Sequence, residues 1–148
     1  MIIRSFTSNS SGSTKKHHCT LKIKYVGAGK GTVGKDLSYV YKFSLPPLAV
    51  NSQDVLTVSV ESDGTKPNPY VIHSYASTSS GISVRALTPP LPLPYPASKG
   101  IASIDFALNL LANELALLSV IVIDTSKTPT EPYDLICCDP QVANDAKT

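Results

Sequence analysis

The stretch Gly29-Lys30-Gly31-Thr32-Val33-Gly34 spells G-x-G-x-x-G, the letters of a dinucleotide-binding turn. Such a turn has to open a helix, because the helix N-terminus holds the pyrophosphate. The flanks read differently. Leu21, Ile23 and Tyr25 alternate with Thr20, Lys22 and Lys24 before it; Leu37, Tyr39, Tyr41, Phe43 and Leu45 alternate with Ser38, Val40, Lys42 and Ser44 after it. Period-two alternation in Tyr/Val/Phe-rich sequence is a strand signal. The glycines then serve the tip of a basic hairpin, where a turn needs positive φ, and Lys30 and Lys35 decorate it.

Outward from the hairpin, Ile2 to Thr7 is a short strand followed by an Asn/Ser/Gly run. Pro46-Pro47 ends the second hairpin strand. Val55 to Glu61 alternates again, Asp63-Gly64 and Pro67-Asn68-Pro69 supply a turn, and Tyr70 to Tyr75 and Ile82 to Leu87 are two further strands. Residues 1–50 thus form a basic hairpin region and 51–88 a meander of antiparallel strands. Pro89 to Pro96, within the segment 89–97, reads as an extended crossover.

After the crossover the period changes. Ile101, Ile104, Leu108, Leu111, Leu115 and Leu118 recur at helical spacing, with Phe106, Leu110 and Leu117 widening the apolar face. Ser98 is a candidate N-cap, so a helix is expected over 98–119. A helix apolar over so much of its surface needs burial on two sides, and a second subunit supplies the other side. Val120 to Ile123 reads as a strand or a second short helix, within the C-terminal segment 120–148. The expected fold class is α+β, an antiparallel β-sheet with an N-terminal hairpin followed by a C-terminal helix, in an intertwined dimer.

The 148 residues suit a single domain over 1–148. Sparse charge, abundant Ser and Thr, 12 prolines and no Trp favour β-rich structure over a helical bundle. The first residues contain no apolar signal segment. The apolar stretch from Phe106 to Ile123 is interrupted by Asn109, Asn113, Glu114 and Ser119, so no membrane span is expected. Cys19, Cys137 and Cys138 do not make a disulfide framework and suit a reducing, intracellular setting. His17, His18 and Cys19 would be half of a metal site with Cys137 and Cys138, but zinc-ligand spacings are absent.

Net charge is only +2, yet it is unevenly spread. Up to Lys42 the chain carries Arg4, Lys15, Lys16, Lys22, Lys24, Lys30, Lys35 and Lys42 against Asp36 alone, and acids dominate beyond. Such asymmetry marks either a nucleic-acid-facing end or a set of solvated lysines.

Three family resemblances compete. Tyr95-Pro96-Ala97-Ser98-Lys99 resembles the Tyr-x-x-x-Lys segment of short-chain dehydrogenases, with Gly27 to Gly34 in the place of the cofactor turn. That resemblance implies an NAD(P)-dependent oxidoreductase, truncated here, with Tyr95 as acid/base and Lys99 lowering its pKa. The interval between turn and tyrosine is too short for that family's intervening strands and helices. Tyr39, Tyr41 and Phe43 resemble the stacking aromatics of RNA-recognition modules, but a strand stands where that fold has a helix.

The order of elements is similar to the coat proteins of single-stranded RNA bacteriophages. Val33-Gly34-Lys35-Asp36 would be the hairpin turn, Leu56-Thr57-Val58-Ser59-Val60 a central strand, and Leu108 to Leu118 the main helix. The resemblance implies a capsid protein of the virion, assembled in the host cytoplasm as homodimers and then as a higher-order shell around packaged RNA. It implies no enzyme activity, cofactor or membrane. Lys22, Lys24 and Lys42, with Thr57, Ser59 and Arg85, are the expected RNA-binding residues, the lysines neutralising phosphate. Ile104, Leu108, Leu111 and Leu115 are the expected dimer interface.

Overall fold

A computed structural model describes residues 1–5, 14–45, 48–50, 53–78, 84–87, 100–110, 114–126 and 134–139. They form two five-stranded β-sheets. The strands are β1 (Ile2–Ser5), β2 (Lys16–Tyr25), β3 (Tyr39–Phe43), β4 (Leu48–Val50), β5 (Val55–Ser62), β6 (Tyr70–Ser77), β7 (Val84–Ala86), β8 (Ser103–Leu108), β9 (Leu115–Asp124) and β10 (Leu135–Cys138).

The first sheet is built around β9. Leu117 accepts a backbone bond from Thr78, beyond β6, on one edge, while Leu118 exchanges backbone bonds with Met1 on the other. β1 and β10 therefore lie end to end along a single edge of β9, opposite residues 115–117 and 120–123 respectively. The second sheet runs β3-β2-β5-β8-β7. Two of the strand pairs, β1 with β4 and β2 with β5, are parallel, and the others are antiparallel.

Alternation explains both layers. Cys19, Leu21 and Ile23 of β2, Leu56, Val58 and Val60 of β5, and Ile104, Phe106 and Leu108 of β8 are buried in one apolar cluster. The same cluster takes Ile3, Ile72, Ala116, Leu118, Val120, Val122 and Ile136 from the first sheet. Each fully buried aliphatic or aromatic side chain of this kind contributes about 1.5–3 kcal/mol.

The expected α+β class is incorrect for this chain. The sole helical element among the described residues is the 3-10 turn Lys35–Leu37. Within the span assigned to a helix over 98–119, residues 103–108 are β8 and 115–119 are the start of β9. The spacing misled because β9 is apolar on both faces: Ala116, Leu118, Val120 and Val122 point inward, while Leu115, Leu117, Ile121 and Ile123 lie on the other face. A strand with both faces apolar satisfies a 3.6-residue template as well as a two-residue one. The run Val120-Ile121-Val122-Ile123 is strand, as its β-branching favours.

The meander is corrected too. β5, β6 and β7 do not pair with one another in order; β6 crosses to the first sheet and pairs with β9. With the helix goes the intertwined dimer. Ile104 and Leu108 are 1% and 0% exposed inside their own chain's core and are not on a surface a partner could cover. Leu115 is exposed on the outer face of the first sheet. Leu111, Ser98 and the Pro-rich crossover lie outside the described residues.

Candidate nucleic-acid interface

The outward-facing residues of the second sheet fall into cross-strand rows. Lys42, Lys22 and Glu61 share one row on β3, β2 and β5. Thr20, Ser59 and Ser103 form the next on β2, β5 and β8, then His18, Thr57 and Asp105. The last row is Lys16, Val55, Ala107 and Arg85, reaching β7. Lys24 stands beyond the lysine row, opposite Val40. Rows are about 6.8 Å apart and strands about 4.8 Å apart.

All six residues expected to contact RNA thus share one face, but they do not form one site. Lys22, Lys24 and Lys42 gather at one corner, with Lys22 directly opposite Lys42. Cβ atoms in such a pair are about 5 Å apart, where like charges are destabilising. All three lysines are exposed and, although Glu61 stands beside Lys22 on β5, none is within 4.0 Å of a carboxylate among the described residues, where the one ion pair is His17 with Asp54.

Thr57 and Ser59 occupy the centre, where they are partly committed. Thr57 Oγ1 donates to Asp105 Oδ1, and Ser59 shares a 3.2 Å hydroxyl contact with Ser103. The Asp105 carboxylate repels phosphate, so the centre suits hydroxyl contacts more than charge neutralisation. Arg85 lies in the far corner, three strands or about 14 Å across the sheet from β2. The sequence reading passed over Lys16, His18 and Thr20, which share the face; the alternation of β2, continued toward its N-terminus, was the signal for them.

The first sheet's outer face differs in chemistry. Leu115 and Leu135 are exposed there, beside half-buried Leu117 and Ile121. One face of the molecule therefore carries more basic than acidic groups and many hydroxyls, while the other carries these apolar side chains around the exposed Ser119–Asp139 hydrogen bond.

The glycine loop is not a pyrophosphate cradle. The 3-10 turn Lys35–Leu37 and then strand from Tyr39 follow it, where the motif requires an α-helix. Five successive amides are already bonded within the hairpin: Gly29 to Asp36 O, Lys30 to Gly27 O, Gly31 to Leu37 O, and Thr32 and Val33 to Tyr39 O. No amide of that run is left for a phosphate. Gly31 and Gly34 instead permit close approach, since a Cβ on either would come within 2.3 Å or 2.6 Å of Tyr39. Tyr95 and Lys99 lie outside the described residues.

The imagined metal half-site is dispersed. His17 Nε2 meets buried Asp54 at 2.8 Å, His18 faces outward, Cys19 is in the core and Cys137 is exposed. Among the described residues no group of three His, Cys, Asp or Glu side chains is placed to hold a metal. No helix among them is long and apolar enough to cross a membrane. Compared with protein-family models, curated proteins and solved structures, the chain gives no match.

Proposed function

We propose that this chain is a non-enzymatic structural protein that binds RNA on the outer face of its second sheet and works as the coat protein of a virus-like shell. The observation carrying this reading is the lysine corner, with Lys22 facing Lys42, Lys24 beside them and Glu61 the one acid in the row. An arrangement that repels itself in the free protein gains when a polyanion arrives. Phosphate contacts of this kind give affinity that is salt-dependent and largely independent of sequence.

The shell role rests on the contrast between the two faces. A basic face turned toward packaged RNA leaves the apolar outer face of the first sheet for contacts between subunits. Exposed apolar patches of this kind favour protein association over a monomeric state. The helical dimer has no part in this reading.

Expression followed by sedimentation, electron microscopy and nuclease treatment tests it. Megadalton particles holding nuclease-protected RNA are expected. A small species that carries no RNA at low salt would overturn both the shell and the RNA face.

A further inference from the structure

A cavity of about 200 Å³ opens at the end of the sandwich where β2 turns into the glycine loop. Tyr25, Lys35, Asp36, Ser38, Tyr39 and Asp134 are among its lining residues. It is smaller than the pockets of about 300–1,000 Å³ that take drug-sized ligands, and so suits a single ring system. Tyr25 follows Lys24 directly in β2 but points to the opposite face, beside Tyr39, so an RNA strand leaving the lysine corner reaches the cavity by turning over the end of β2.

We propose that this cavity takes one base of the RNA strand whose backbone lies on Lys22, Lys24 and Lys42, and that the base is guanine. The inference rests on the RNA-face reading and specifies its ligand. Three features supply the chemistry. Tyr25 is 48% exposed, and its ring is fixed edge-on against buried Tyr39, with centroids 5.3 Å apart. An aromatic ring about half exposed to solvent is a stacking platform for an unpaired base. Lys35 is exposed at the rim, where it can meet the phosphate of that nucleotide.

The carboxylates of Asp36 and Asp134 decide which base fits. A carboxylate only accepts hydrogen bonds. Guanine presents two adjacent donors, N1–H and the N2 amino group, to both oxygens of one carboxylate. Uracil offers one N–H between two carbonyl oxygens, which a carboxylate repels.

The loop is also held in a costly shape. Asp36 and Leu37 have φ of 53° and 50°, a left-handed conformation unusual for two successive non-glycine residues. Backbone bonds from Gly29 to Asp36 and from Gly31 to Leu37 keep it there. That conformation places Asp36 and Lys35 at the cavity wall.

Binding of two fluorescent RNAs, a hexauridylate and the same strand with one central guanosine, tests the proposal at fixed low salt. The guanosine strand should bind the full chain roughly tenfold tighter, within the range for one stacked base. Asp36→Asn with Asp134→Asn should abolish that preference and leave hexauridylate binding intact. Tyr25→Leu should lose the preference, and Tyr25→Phe should retain it. Equal affinity for both strands, both still dependent on the lysines, overturns the pocket and leaves the RNA face standing. A preference that survives the double Asp change also overturns it. Failure of either strand to bind at low salt refutes the RNA face itself, and the pocket with it.

Discussion

Tyr39 of β3 donates its phenolic proton to Asp124 of β9 at 2.7 Å, joining the two sheets through the interior. Tyr39 is 0% exposed and Asp124 4%, and Asp124 Oδ1 accepts from both the amide and the hydroxyl of Ser126. The same tyrosine is the surface against which Gly31 and Gly34 pack. One residue thus anchors the glycine loop, through its backbone and ring, and ties the layers together through its hydroxyl.

Tyr39→Phe removes the donor and leaves a buried carboxylate oxygen without its partner. Leaving such a group unsatisfied costs about 1–3 kcal/mol, more when it is charged. Urea unfolding should show a lower midpoint with an unchanged slope. An unchanged midpoint would mean that the cross-sheet bond contributes nothing to stability.

The loop glycines should differ in tolerance. Gly31→Ala puts a Cβ 2.3 Å from the Tyr39 carbonyl oxygen, against backbone that cannot yield easily. Gly34→Ala adds a 2.6 Å approach to the Tyr39 ring to a φ of 79°. Gly29→Ala meets nothing within 4 Å and bears only its φ of 72°, a cost of about 1–2 kcal/mol. Thermal unfolding should rank Gly31→Ala and Gly34→Ala well below Gly29→Ala. A reversed order would refute the close packing against Tyr39.

Alkaline pH should weaken the fold. Burial pushes the Cys138 thiol from 9.0 up to about 12, with Cys137 and Asp139 adding to it, and burial with nearby Asp124 pushes Tyr70 from 10.0 up to about 12. Tyr39 is raised further, by burial and by its bond to Asp124, and Tyr41 is raised by burial. For each group the folded chain holds its proton more tightly than the unfolded chain. Their contribution is fully present below pH 9 and is lost as pH rises toward 12 and beyond. Unfolding free energy measured from pH 8 to 11 should decline from about 9 upward. A flat profile would contradict the burial of these groups.

The hairpin was legible because Leu21, Ile23, Tyr39 and Tyr41 keep a clean two-residue period on both sides of the glycines, and β2 pairs with β3 in that register. The lysine corner was legible for the same reason, since alternation fixes which side chains share a face. The second half of the sandwich was not. β9 is apolar on both faces and β8 precedes it without a glycine or proline break, so their combined pattern mimics a helix. β4 and β10 are three and four residues long, too short for a period to register. The parallel pairing of β2 with β5 depends on a crossover through the other sheet, and no local pattern encodes that. The commitment of Thr57 to Asp105 was hidden too, because it joins residues 48 positions apart.

The salt dependence of single-stranded RNA binding tests the lysine corner most directly. Affinity for a short unstructured RNA would be measured across a salt series for the chain and for its Lys22→Ala, Lys24→Ala, Lys42→Ala form. Each lost phosphate contact flattens the plot of log affinity against log salt by about 0.7, so the triple change should flatten it by about 2. Circular dichroism should stay the same, because all three side chains are exposed. An unchanged slope and affinity in the folded triple variant would show that RNA does not bind on this face.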